Sequence, residues 1–444
     1  MRLSLIVSIL FYFFSANAQD TTRLAILFTG DIMQHDSQIT AAYDPLTKSY
    51  SYASCFNYIT PILQSADLTI GNLEVTLGGA PYKGYPQFSA PDELATQLKR
   101  SGFDILVTAN NHCVDRGRKG LERTLRVLDT LGLIHTGTFA DSTERTSRYP
   151  LRIERNGINI SLLNYTYGTN GIPVPFPSVV NLIDTIQIKK DLATARKQGT
   201  DAIIVFMHWG SEYQSLPNAF QKKLSELCFH DGAKLIIGAH PHVVQPIEWN
   251  KDRDQLIAYS LGNFVSGQRP RYRDGGAMLW VELEKVKKDS VGTTSIIRAE
   301  YEIQWIHKTQ GSKSEFNILP VQQFDGDTIL LNTITAQTAF NTFRDDARSL
   351  FSKYNINVSE RERERIETSY RICLLQTSAS VTEIESNSTI DFFGLEAETD
   401  SEGNKLWLTG KFFDADLAEQ ALIEIKSKTV YRDASLILFS GKKK

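Results

Sequence analysis

The chain has 444 residues, 41% hydrophobic and 22% charged, which is enough apolar surface for a full core and, at roughly 150 residues per domain, for two or three domains. Its 48 basic and 51 acidic residues are mixed along the whole length to a net charge of -3, which excludes nucleic acid as a partner drawn by bulk positive charge and excludes an acidic solvating tail. Four cysteines, Cys55, Cys113, Cys228 and Cys373, show no C-x-x-C spacing; this argues against a thiolate metal site, and buried free thiols are expected.

At the N-terminus, Met1-Arg2 precedes an apolar run from Leu3 to Phe14 and then the small and polar residues Ser15-Ala16-Asn17-Ala18. That layout predicts a secretory signal over residues 1–18, cleaved after Ala18, and the run is shorter than the roughly 20 residues needed to span hydrocarbon. The mature chain is therefore expected to be exported, periplasmic or associated with the cell envelope, and without a transmembrane anchor.

The body opens with Leu24 to Thr29, an apolar run suited to a buried strand, which stops at Gly30-Asp31. The pattern recurs five times. Leu68 to Ile70 leads into Gly71-Asn72-Leu73-Glu74, Asp104 to Thr108 into Ala109-Asn110-Asn111-His112, and Ala202 to Met207 into His208-Trp209-Gly210. Lys234 to Ile237 leads into Gly238-Ala239-His240-Pro241-His242, and Leu256 to Tyr259 into Ser260-Leu261-Gly262-Asn263-Phe264. Helical spacing lies between these runs, as at Leu121, Leu125, Leu128 and Leu131. The alternation predicts an α/β fold with a parallel or mixed sheet, whose ligands sit beyond the carboxyl ends of the strands.

Asn156-Gly157 between two apolar runs predicts a β-hairpin, and the Gly- and Pro-rich stretch Thr169 to Pro177 predicts a loop near the site. Gly275 to Glu284 and Ser295 to Ile306 read as two closing strands of a domain that covers residues 24–306. Residues 307–367 read as a linker followed by a helix from Thr335 to Glu367, with the Arg/Glu alternation at 361–365 as its solvated face.

The oxygen and nitrogen donors at the strand ends are Asp31, Glu74, Asn111, His112, His208, His240 and His242. Such donors without thiolates suit a divalent transition metal of the Zn, Mn or Fe kind, and two ions about 3.5–4 Å apart would bridge a phosphoryl group or generate a hydroxide. Glu74 is the natural bridging carboxylate. His112 is a candidate general acid held by Asp115, although Asp115 equally suits a cap for the helix beginning near Gly117. Asn263 and Arg269, with Arg271 and Arg273 in the same loop, are candidates for binding an anionic substrate.

In order and spacing, these six motifs resemble the CapA family of poly-γ-glutamate capsule synthesis proteins, over about Leu24 to Trp305. The resemblance implies a metallophosphatase-like, four-layer α/β/β/α sandwich. It places Asp31, Glu74, Asn111, His208, His240 and His242 as metal ligands, with His112 as the catalytic imidazole, and makes an anionic envelope polymer the expected partner. One position departs: phosphatases of that fold usually carry Asp-x-His in the first motif, whereas Met33 stands in the His place here, with His35 the nearest imidazole. A weaker resemblance covers 368–444, where Thr409-Gly410-Lys411-Phe412 and Glu419-Gln420-Ala421 are similar to a SPOR-type α+β domain. That family binds peptidoglycan. A non-catalytic binder of polymer, and a secreted phosphoesterase unrelated to capsule, stand as alternatives to a capsule-associated hydrolase.

Overall fold

The structure, a computed structural model, describes residues 20–288, 291–309, 314–363, 366–377, 395–399, 405–412 and 415–442. The expected signal segment lies outside the described residues.

Two sheets face each other. In the first, the strand Asp20–Ile32 sits at the centre with Leu68–Leu73, Ile105–Val107 and Ile134–Thr136 parallel on one side and the long antiparallel hairpin Gly275–Lys288 and Val291–Lys308 on the other. In the second, Ile158–Thr166, Ala202–His208, Leu235–Ala239 and Gln255–Ala258 run parallel, flanked by antiparallel Leu151–Arg155 and Ile247–Asn250. The hairpin predicted at Asn156-Gly157 is the first pair of this sheet, and both residues take the positive φ, 52° and 72°, that a primed turn requires.

Period-two alternation decides which way each side chain points. Leu24, Ile26 and Phe28 face Ile160, Leu162, Ile204 and Phe206 across the space between the sheets. Their neighbours point outward, Leu27 and Leu106 under the helices Asp92–Ser101 and Gly117–Leu131, Ile203 and Val205 under Thr185–Lys197 and Ala219–His230. The result is an α/β/β/α sandwich, as the family resemblance implies. Each fully buried Leu, Ile or Phe contributes about 1.5–3 kcal/mol, so the inter-sheet layer and the two layers under the helices all carry stability. Local signals start and stop the covering helices: the Asp184 side chain caps the third helix, Asn218 with Gln221 forms a capping box at the fourth, and Gly102 and Gly132 end the first two in left-handed geometry.

Three sequence readings are corrected. The region read as linker contains the strand Phe316–Pro320, which pairs with Val291–Lys308 and buries Phe316, Ile318 and Leu319. The helix predicted to Glu367 ends at Tyr354. Beyond it, Arg361 and Arg363 do not form a solvated helix face: Arg361 pairs with Glu300 at 2.9 Å and lies over the Trp280 ring, and Arg363 holds the buried Glu302 through two 2.8 Å hydrogen bonds. The charges alternate because the neighbouring strand's acids alternate.

The C-terminal residues form a separate four-stranded antiparallel sheet, Leu395–Thr399, Lys405–Phe412, Ile366–Thr377 and Ser435–Lys442 in spatial order. The helix Ala415–Lys428 packs Ala421 and Ile425 against Ile372, Leu374 and Trp407. Thr409-Gly410-Lys411-Phe412 lies at the end of the strand Lys405–Phe412, with Gly410 at φ 67° where the pairing register slips. The four cysteines are free and buried, as expected.

The first strand shifts register between Phe28 and Asp31, which lets Asn263–Val265 dock beside it and turns Asp31 toward the second sheet. Only glycine fits at residue 30, because a Cβ there would lie 1.9 Å from the Gly262 carbonyl oxygen. Gly30→Ala is therefore expected to cost about 3 kcal/mol or more, seen as a lowered thermal midpoint. An unchanged midpoint would show that the approach of the two strands is looser than described.

Candidate metal centre

The strand ends deliver their side chains to one buried cluster between the sheets. Asp31 and Glu74 come from adjacent parallel strands of the first sheet, Asn111 and His112 from the segment after Ile105–Val107, and His208, His240 and His242 from the second. All are buried, Asp31, Glu74 and His208 completely. His240 and His242 sit at φ 94° and 58°, a left-handed conformation that costs non-glycine residues about 1–3 kcal/mol and that clusters at functional sites.

Asp31 is anchored by Asn72, whose amide nitrogen donates to its Oδ1 at 2.8 Å, and its Oδ2 lies 3.0 Å from His242 Nδ1. Opposite, His208 Nε2 meets Asn111 Oδ1 at 2.9 Å. Between these pairs sits Glu74, with Oε1 3.4 Å from His208 Nε2 and 3.8 Å from His242 Nε2. Donor atoms of Asp31, Glu74 and His208, and again of Glu74, His240 and His242, lie within 4.8 Å of one another, so Glu74 belongs to both groups.

Neither Glu74 oxygen nor His240 Nδ1 has a hydrogen-bond partner among the described residues. Buried carboxylates without partners are costly, and these have no Lys or Arg beside them among the described ion pairs. Burial, then the adjacent Asp31 carboxylate, push the Glu74 carboxyl well above its ordinary range. Burial also raises Asp31, but its hydrogen bond and charge interaction with His242 outweigh this and leave it below the usual value. Burial and the neighbouring imidazoles push His208 well down and His240 to about 3, so both rings are neutral, as metal ligands must be. The donor set and its unpartnered atoms thus fit divalent cations, with Asp31, Glu74 and His208 in one group, Glu74, His240 and His242 in the other, and Asn111 against His208.

His112 lies at the edge. Its Nδ1 is 2.7 Å from Asp115 Oδ2, which also accepts the Phe88 backbone N–H at 2.8 Å, and the Phe88 ring stands edge-on against the imidazole. Asp115 therefore orients His112, and the cap at Arg116 shows no side-chain hydrogen bond. Asn263, expected at the substrate, instead braces the cluster: its Oδ1 is 3.1 Å from His242 Nδ1 and its amide donates to the Arg273 carbonyl at 2.7 Å. Arg269 is not brought to the centre. Its guanidinium donates to the Ile306 and Ser266 carbonyls and is held in the scaffold.

Met33 is buried in the apolar layer beneath the first sheet and presents no imidazole to the cluster. His35 does not replace it, since its Nδ1 accepts the Gly267 N–H at 3.1 Å. Three neighbours escaped the sequence reading. Asn72 lay within a quoted motif two residues before Glu74, a spacing that puts both on one face of the strand. Tyr167 lies against the His240 ring at 4.5 Å, and Asn170, from the Gly- and Pro-rich loop, reaches both Asn111 and the His112 ring. No sequence signal marks Tyr167, whereas Asn170 lies in the Gly- and Pro-rich loop expected near the site.

A four-layer sandwich carrying this thiolate-free cluster at the carboxyl ends of its strands defines the class: a metallophosphatase-like fold with a candidate metal centre. The chain belongs to the family described as "Bacterial capsule synthesis protein PGA_cap", which matches residues 25–268. It is 30% identical over 306 residues to "PGA biosynthesis protein CapA" of Bacillus subtilis (strain 168), covering 62% of this chain and 77% of that one. It is 28% identical over 263 residues to "Capsule biosynthesis protein CapA" of Bacillus anthracis, covering 56% of this chain and 61% of that one. Among solved structures, the "calcineurin-like phosphoesterase YfkN from Bacillus subtilis" aligns over 73% of this chain and 100% of that chain, at 14% identity and a TM-score of 0.39. At that level of likeness the fold assignment rests on the two sheets themselves.

Proposed function

We propose that this chain is an exported cell-envelope protein in the synthesis, release or anchoring of an anionic polymer, and that its centre hydrolyses a bond in that polymer with two divalent transition metals. Poly-γ-glutamate is the polymer suggested by the names of the capsule relatives. The observation that supports hydrolysis most directly is Glu74, a buried carboxylate with two unpartnered oxygens between two sets of ligands. Bound divalent ions would supply a hydroxide nucleophile and charge to stabilise a developing oxyanion.

The chain's own residues supply the rest. Asp31, His242, Asn111, His208 and His240 fix the ligand positions. Asp115 holds the Nδ1–H of His112 and stabilises the ring's positive charge when both nitrogens are protonated, so that Nε2–H would give its proton to the leaving oxygen and leave a neutral ring. The Asn170 amide nitrogen, 3.4 Å from that Nε2, covers it until substrate arrives. The C-terminal sheet and helix are assigned to peptidoglycan, a role that the SPOR resemblance suggests.

Met33 favours a second reading, a centre that binds polymer without turnover. Assays of the Zn- or Mn-reconstituted chain against aryl phosphodiesters and γ-glutamyl polymer separate the two. Turnover that chelator abolishes supports the hydrolase. A metal-loaded chain that binds polymer and cleaves neither substrate leaves the binder.

A further inference from the structure

The loop between Arg269 and Asp274 carries three arginines, and the structure gives each a different environment. Arg269 is held by two backbone carbonyls. Arg271 forms a two-armed pair with Asp346 at 2.7 Å on the surface. Arg273 makes no ion pair among the described residues; its guanidinium lies 3.2 Å from the centre of the Tyr213 ring. A stacked guanidinium keeps its in-plane N–H groups free to grip an oxyanion with two parallel hydrogen bonds.

This stack is fastened to the metal centre at both ends. Tyr213 donates its backbone N–H to Pro241, between the two site histidines, and its ring is 6.1 Å from that of His242. The Arg273 carbonyl accepts from Asn263, whose other amide atom touches His242. Tyr213 sits at φ 65° and is 37% exposed, so a strained residue presents an open face to solvent one ring beyond the cluster.

We infer that Arg273, held on Tyr213, is the specificity-determining residue that binds an oxyanion, carboxylate or phosphate, on the polymer unit next to the one at the metals. The inference rests on the proposed anionic-polymer reading and adds the recognising residue. Of the three arginines that the sequence offers for an anion, it selects Arg273 over Arg269 and Arg271.

The test is equilibrium binding of fluorescent γ-glutamyl oligomer, glycerol-phosphate oligomer and a neutral amidated γ-glutamyl oligomer to the metal-loaded full chain and its Arg273→Gln, Arg273→Lys and Arg271→Gln variants, with metal content measured for each. Because Asn263 is tied to the backbone carbonyl, metal content is expected to stay constant. Arg273→Gln is expected to weaken one charged oligomer about tenfold and spare the neutral one, Arg273→Lys to lie between, and Arg271→Gln to match the parent. The oligomer that loses affinity identifies the oxyanion. Unchanged affinity in Arg273→Gln, with the parent binding well, overturns the subsite and leaves the polymer reading standing. A parent that binds neither charged oligomer overturns both.

Discussion

Glu74→Gln is expected to lower metal affinity by at least about a hundredfold while leaving the chelated protein as stable as the parent or more so. The two effects have one cause. The carboxylate is wholly buried, has no hydrogen-bond partner among the described residues, and faces the Asp31 carboxylate nearby, so without a cation its charge is a liability. Glutamine keeps the volume and removes the charge. A gain of about 1 kcal/mol in chelator is expected, alongside lost stabilisation by added Zn or Mn. Thermal unfolding of both proteins with and without metal reads both arms. A variant that is destabilised in chelator, and still binds metal, would show that Glu74 serves the fold and not a cation.

His112→Ala is expected to separate chemistry from metal binding. The ring touches Asp115 and Phe88 but sits at the edge of the ligand set, so the variant should retain its metal while turnover falls by about 10²–10⁴. Asp115→Asn should fall less, since the imidazole remains and loses only the carboxylate that orients it. Equal turnover in His112→Ala and the parent would remove the imidazole from the reaction, and loss of metal in that variant would make it a ligand.

The parallel strands were legible in sequence because strands buried on both faces read as unbroken apolar runs, and each run ended in residues that scaffold positions seldom carry, such as Gly238-Ala239-His240-Pro241-His242. The strand Phe316–Pro320 was not legible: it is five residues long, ends in proline, and depends on an edge supplied by Val291–Lys308. Arg361 and Arg363 were misread because alternating charge has two causes, a helix face and an acidic neighbouring strand, and only Glu300 and Glu302 distinguish them. At the centre, residues at strand ends could be chosen from sequence because the topology fixes where strands end. Tyr167 and Asn170 could not, since a loop's reach is set by tertiary packing. Arg269 and Arg273 are four residues apart in one loop, and nothing in the sequence says which of them is held by backbone carbonyls and which stacks on Tyr213.

The most direct test of the account is the metal stoichiometry of the full chain, purified without chelator and reconstituted with Zn or Mn, with anomalous scattering to place the ions. Two ions flanking Glu74, lost or reduced in His208→Ala and His242→Ala, is the result the account predicts. No bound ion after reconstitution, or ions placed away from Glu74, would contradict it.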